Sequence, residues 1–296
     1  MFFHFQSVKD SPPSSRVRLV MCASPWSLET HPHPRRPWPL RRQIEAIAEA
    51  GFDGVAASAT PELTPLLREH GLRLMGRFDT GTARGAREQV AAQLAGGARL
   101  INVQLGDHDT PPERAARVAV ALVQAGRAQG ARVHIETHRD TATETPEKYA
   151  AIARLYREAT GETLPTTWDH SHFAVSKHLL APSFVPRLLR YRPEIQRSQI
   201  FHCRPFNSQH CQVPVTNGRG RLTPEFQDYL AFAEELFLLW LRGPRPGGEL
   251  WVCPEMGSSV GYHLSIHPAV WPDTLRCRDE LLRAWRRATG RVAAPA

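Results

Sequence analysis

The chain has 296 residues, 42% of them hydrophobic, and a formal charge of +8. That length can bury a sizeable core in one large domain or two small ones, and no run of about eighteen apolar residues exists, which excludes a membrane-spanning helix. Lysine occurs only at Lys9, Lys148 and Lys177, so the basicity is nearly all arginine, scattered over helical segments and not gathered into a stripe that would mark a nucleic-acid surface.

Residues 1–15 lack an apolar core and a cleavage site, so they read as a flexible N-terminal tail and not as a secretory signal. Five cysteines without a CxxC pair suit a reducing compartment, and a soluble cytoplasmic protein is expected. From residue 16 to 296 one rhythm runs to the end. Arg16 to Cys22 reads as a strand, followed by a helix over Leu40–Ala50. "GFDGVAA" is a strand before a helix at Thr60–His70, and "LRLMGRF" one before a helix at Gly85–Ala95. "RLINVQL" leads to a helix at Pro111–Gln129, "ARVHIE" to one at Pro146–Thr160, and "LPTTWD" to one from about Ser183 to Tyr191. "SQIFHC" precedes a long loop and a helix at Pro224–Arg242, and "ELWVCPE" precedes a last helix at Asp273–Thr289. Strands alternating with helices imply parallel pairing, because each crossover needs a helix. Eight such units predict a single α/β domain, a (β/α)8 TIM barrel. The competing doubly wound sheet lacks its Gly-rich fingerprint after the first strand.

Local signals agree. Thr60-Pro61, Thr110-Pro111, Thr145-Pro146 and Thr223-Pro224, each followed closely by glutamate, repeat one helix-start pattern of capping hydroxyl, first-turn proline and acidic first turn. In the seventh helix Phe226, Leu230, Ala233, Phe237 and Trp240 form an apolar stripe at helical spacing, expected to pack on the barrel.

The fifth strand breaks the apolar rule. In "ARVHIETHRDT" the alternate residues His134, Glu136 and His138 share one face, where a strand buried on both sides should carry valine, isoleucine or leucine. Catalytic groups in such barrels sit at the C-terminal ends of strands. Glu136, Asp169, His202 and Glu255 occupy those ends on strands five to eight. Each alone has a structural reading: an ion pair, a turn cap, a packed core histidine, the start of a loop. Together they put three carboxylates at one mouth, and a divalent cation is the simplest compensation. Three carboxylates and an imidazole suit Mn²⁺ or Mg²⁺, with Co²⁺ or Zn²⁺ as alternatives. Arg204, two residues beyond His202, can bind a substrate hydroxyl or anion, or pair with a rim carboxylate. His138 lies at the rim within reach of a substrate, whereas His134 lies deeper. Trp26, Phe78 and Phe206 fall near strand ends, as pocket wall or as core.

The stretches "ETHRDT", "WDHSHFAVSKHLL" and "NVQLGDH" resemble the xylose-isomerase-like TIM barrels, the sugar (phosphate) isomerase/epimerase superfamily, across residues 16 to 290. The resemblance implies one metal held by Glu136, Asp169, His202 and Glu255, proton transfer by Glu136 and Glu255 through a metal-stabilised enediolate, and substrate contact by His172 of the Asp-x-x-His pattern. The expected partner is a small-molecule carbohydrate; a homo-oligomer is compatible with the fold, and nucleic acid is not expected. Two departures matter. Ala56 and Ala142 stand where relatives place glutamate and a second carboxylate, so the substrate does not transfer. A lyase or dehydratase starting with the same proton abstraction stays open. The superfamily's apurinic-site endonucleases need extra histidines on strands three and four and an Asp-x-His after strand seven. "MGRFDT", Asn102, Gln104 and "CRPFNSQHCQVPVTNGRGRL" do not provide them.

Overall fold

In the computed structural model, which describes residues 17–259 and 261–293, eight strands close into one parallel barrel. The tail expected at 1–15 lies outside the described residues. In chain order the elements are β1 Arg18–Ala23, α1 Leu40–Glu49, β2 Gly54–Ala56, α2 Leu63–Glu69, β3 Arg73–Thr80, α3 Ala86–Ala95, β4 Leu100–Leu105 and α4 Pro112–Ala128. They continue with β5 Arg132–Glu136, α5 Pro146–Thr160, β6 Thr166–Asp169, α6 His170–Ser176, α7 Phe184–Leu188, α8 Arg192–Arg197, β7 Ile200–His202, α9 Pro224–Leu241, β8 Glu249–Cys253 and α10 Val270–Ala293. The strand order is β1 to β8 with β1 closing on β8, as the strand–helix rhythm predicts. Among the described residues no helix is long and apolar enough to cross a membrane.

Two apolar layers follow from strand alternation. Inside the barrel Val20, Cys22, Met75, Leu100, Ile200, Trp251 and Cys253 form a small plug. Outward residues such as Val55, Ile101, Val133, Trp168 and Phe201 join the larger cluster beneath the helices. α9 lays Phe226, Ala233, Phe237 and Trp240 into that cluster, each 0% exposed, while Leu230 packs at its edge. Gly54 is imposed by barrel closure: a Cβ there would sit 2.5 Å from the Arg73 carbonyl oxygen and 3.2 Å from the Cys22 sulfur.

The helix starts are met unevenly. Thr145 and Thr223 cap α5 and α9, accepting from Lys148 N and Phe226 N. The Thr60 hydroxyl accepts from Leu63 N at 3.1 Å, ahead of a helix that begins only at Leu63. Thr110 instead turns its hydroxyl back to the Asp107 carboxylate at 2.7 Å, and α4 starts at Pro112 without a side-chain cap. The helix expected from Ser183 to Tyr191 is the shorter α7, and two further short helices, α6 and α8, flank it where none was expected. Pro193 sits in the first turn of α8, where its missing N–H costs no hydrogen bond. α10 begins at Val270 and not at Asp273, because Pro272 fits the first turn, where its missing N–H costs no hydrogen bond.

Candidate active site

The strands deliver the four expected side chains to one point. Glu136 and Asp169 end β5 and β6, His202 ends β7, and Glu255 stands two residues past β8, after Pro254. Asp169 and His202 are register partners, and Glu136 pairs with Thr167 one step below. Glu136 and Asp169 are 0% exposed, His202 6% and Glu255 9%. One donor atom from each lies within 4.8 Å of the other three. An ion bonded at about 2.0–2.4 Å spans at most about 4–5 Å between opposite donors, so the four fit a single divalent cation. They are the one such group among the described residues.

The local sequence fixes each of the four side chains. Thr137 donates its hydroxyl to the Asp169 carbonyl at 3.0 Å and accepts from Asp169 N, tying the ends of β5 and β6. Asp169 also caps α6 through Ser171 N at 2.9 Å, so its turn-cap role and its place in the cluster coexist. Asn102 on β4 donates to Glu136 at 2.7 Å, and His202 Nδ1 lies 2.6 Å from Glu136 and 3.0 Å from Glu255. Arg204 donates from Nε to Asp169 at 3.1 Å and from Nη2 to Glu255 at 2.5 Å.

These contacts set the charges. Burial pushes the Glu136 carboxyl up, but the charge and hydrogen bond of His202 outweigh it and hold it well below the usual carboxylate range. Asp169 is held down against burial by His172 and Arg204, and Glu255 by His202 and Arg204. His202 rises to about 10 and His172 to about 9, because the carboxylates overcome the desolvation that opposes a buried cation. His138 falls to about 4 through burial and the neighbouring charge of His172, whose ring centroid is 4.2 Å away.

Other expectations divide. His172 lies 3.3 Å from Asp169, inside the cluster. Arg204 takes the ion-pair reading and is only 1% exposed. His134 sits deeper, with Nδ1 donating to the Thr166 carbonyl at 3.3 Å. Phe206 is core, packed on Phe184, Tyr229 and Phe232, and Phe78 packs against the helical core. Trp26 reaches the mouth, donating to Ser259 at 2.7 Å. Sequence reasoning missed Tyr262, whose ring lies under the guanidinium groups of Arg139 at 4.1 Å and Arg204 at 4.3 Å, edge-on to Trp26. It lies in an aperiodic loop, where only the nearness of Glu255 in sequence could have flagged it. Arg77 was also missed, although alternation with Met75 on β3 places it on the inward face. Trp26, Arg77, His138, Arg204, Glu255 and Tyr262 line a cleft of about 580 Å³.

No protein-family model matches the chain, and no curated protein matches it. Solved structures do. An L-ribulose 3-epimerase superposes with a TM-score of 0.59 at 14% identity over 93% of this chain and 98% of that one. A xylose isomerase-like TIM barrel protein from Mycobacterium smegmatis, in complex with magnesium, gives 0.58 at 13% identity over 90% and 97%. The fold is that of the xylose isomerase-like TIM barrels. A D-allulose 3-epimerase from Methylomonas sp., solved with D-allulose, gives 0.57 at 15% identity over 92% and 97%. At these identities the likeness carries the architecture, and the chemistry has to be argued from this chain's own residues.

Proposed function

We propose that this protein is a divalent-metal-dependent isomerase or epimerase of a sugar-like polyol or keto compound, with the ion held by Glu136, Asp169, His202 and Glu255. The observation that carries this reading is the convergence of those four donor atoms within 4.8 Å at the C-terminal face of the barrel. The hard donor set favours Mn²⁺ or Mg²⁺, and the magnesium complex and the epimerases among the structural neighbours support the same reading.

A bound divalent ion would supply Lewis-acid polarisation of a carbonyl and its neighbouring hydroxyl. Glu136 and Glu255 flank His202 and are the two carboxylates placed to move a proton, one taking it from the substrate carbon and the other returning it. His172, 3.3 Å from Asp169, donates to a substrate oxygen, and His138 beside it orients a second. Trp26 and Tyr262, packed edge to face at 5.1 Å, give the cleft an aromatic wall for the substrate's apolar face.

The test is solvent exchange in D₂O across a panel of ketoses and keto acids with manganese-loaded protein. Deuterium should enter the carbon beside the carbonyl of at least one of them, and a chelator should stop it. A fully loaded protein that exchanges none of them sinks the proposal.

A further inference from the structure

We infer that the substrate carries an anionic head group, a carboxylate or a phosphate, gripped by Arg204 and Arg77 on the wall of the cleft; this rests on the isomerase reading above. It departs from the uncharged sugars named for the structural neighbours.

Arg204 is the one buried arginine among the described residues. Its Nε and Nη2 are committed to Asp169 and Glu255. Its Nη1 is buried and has no partner, although the residue lines the cleft. A buried donor without an acceptor is costly, and an arriving oxygen would remove that cost. The guanidinium is already fixed on two sides by carboxylates and lies 4.3 Å from the Tyr262 ring centroid and 5.4 Å from that of Trp26. Little freedom is left to lose on binding.

Arg77 enters the same cleft from β3, close enough for Glu136 and Glu255 to raise its pKa against burial. Its ion pair is with Asp79 at 3.3 Å, a carboxylate 62% exposed and therefore well screened. Glu136, Asp169 and Glu255 bring three negative charges, which a divalent ion and Arg204 would cancel. On the rim Arg77 and Arg139 stand with Asp79 and Asp140, so the preference for an anion rests on donor geometry and not on net charge. Guanidinium groups offer donors only, in the planar fork that matches a carboxylate or phosphate, and Asp79, Gln104 and Asp140 elsewhere on the wall can accept from the substrate's hydroxyls.

The experiment titrates manganese-loaded protein calorimetrically with two matched pairs, D-ribulose against D-ribulose 5-phosphate and D-glucitol against D-gluconate. At least one charged member should bind about tenfold or more tighter than its neutral partner, with the gap narrowing as salt is raised. Which charged member wins separates phosphate from carboxylate. Arg77→Gln should remove most of the gap while keeping the bound manganese; Arg204→Lys should do the same, and Arg77→Gln decides alone where the buried replacement fails to fold. The inference is overturned if neither charged probe outbinds its partner, or if the gap survives Arg77→Gln. Deuterium exchange confined to neutral sugars would also overturn it while leaving the isomerase reading intact. Anion-selective binding without exchange from any sugar would do the reverse.

Discussion

Glu136 stands where a buried parallel strand would carry a branched aliphatic side chain, and its surroundings account for it. It is fully buried, takes a hydrogen bond from Asn102, and shares His202 with Glu255. Glu136→Gln keeps the shape and the Asn102 contact but removes the charge. It should leave the fold intact, weaken manganese binding, and lower the exchange rate by about 10² or more, as loss of a general base does. Asp169→Ala removes a ligand outright. Elemental analysis should find about one divalent ion per chain in the wild type and close to none in this variant, whereas about three zinc ions in the wild type would revive the endonuclease chemistry. These residues were legible in the sequence because strand ends in a parallel barrel share one mouth, so four chemically matched residues at four consecutive ends define a site without coordinates. Tyr262 was not legible, because nothing in an irregular loop says which way a side chain turns. Arg204 was half legible: its place on the strand face was readable, but not its commitment to Asp169 and Glu255.

At the scale of elements, the alternation of period-two and helical segments located all eight strands and the long helices, and it missed the short α6 and α8, which are too brief to show a helical period. Thr110 matched the helix-start pattern, yet its hydroxyl bonds to Asp107, an option that any Thr near an Asp possesses and that sequence spacing cannot rank. Thr145 meets the pattern, with its side chain accepting from Lys148 N. Thr145→Ala should therefore cost about 1 kcal/mol in a urea unfolding titration, and a loss below about 0.3 kcal/mol would show that first-turn proline and Glu147 suffice to start α5. The start of the loop after β8 is closely packed, with Pro254, Glu255, Met256 and Gly257 all buried. Gly257 lies so close to the Trp26 indole that a Cβ there would approach its carbons to 1.9–2.2 Å, and Gln212 bonds both its N–H and its carbonyl. Glu255, two residues before Gly257, sits next to that packing, and Tyr262 makes its own edge-on contact with Trp26.

For the molecule as a whole, the excess of arginine is spread over the outside of the barrel, where many side chains form ion pairs, as Arg287 and Arg291 do with Glu234. A surface of that kind gives weak, salt-sensitive attraction to polyanions and no groove for a duplex. Metal-loaded protein should leave an abasic duplex uncut, and any affinity for DNA should collapse between low and physiological salt; incision that depends on metal and disappears in Glu255→Gln would contradict this. The placement of the ligands on β5 to β8 has a consequence for how such a barrel changes over generations. Trp26, Arg77 and Gln104, from the first half of the chain, line the cleft and are not among the four clustered groups. Part of the wall that meets the substrate thus belongs to elements that hold none of the clustered groups. Substitutions at Trp26, Arg77 and Gln104 can reshape that wall while the cluster on β5 to β8 stays intact.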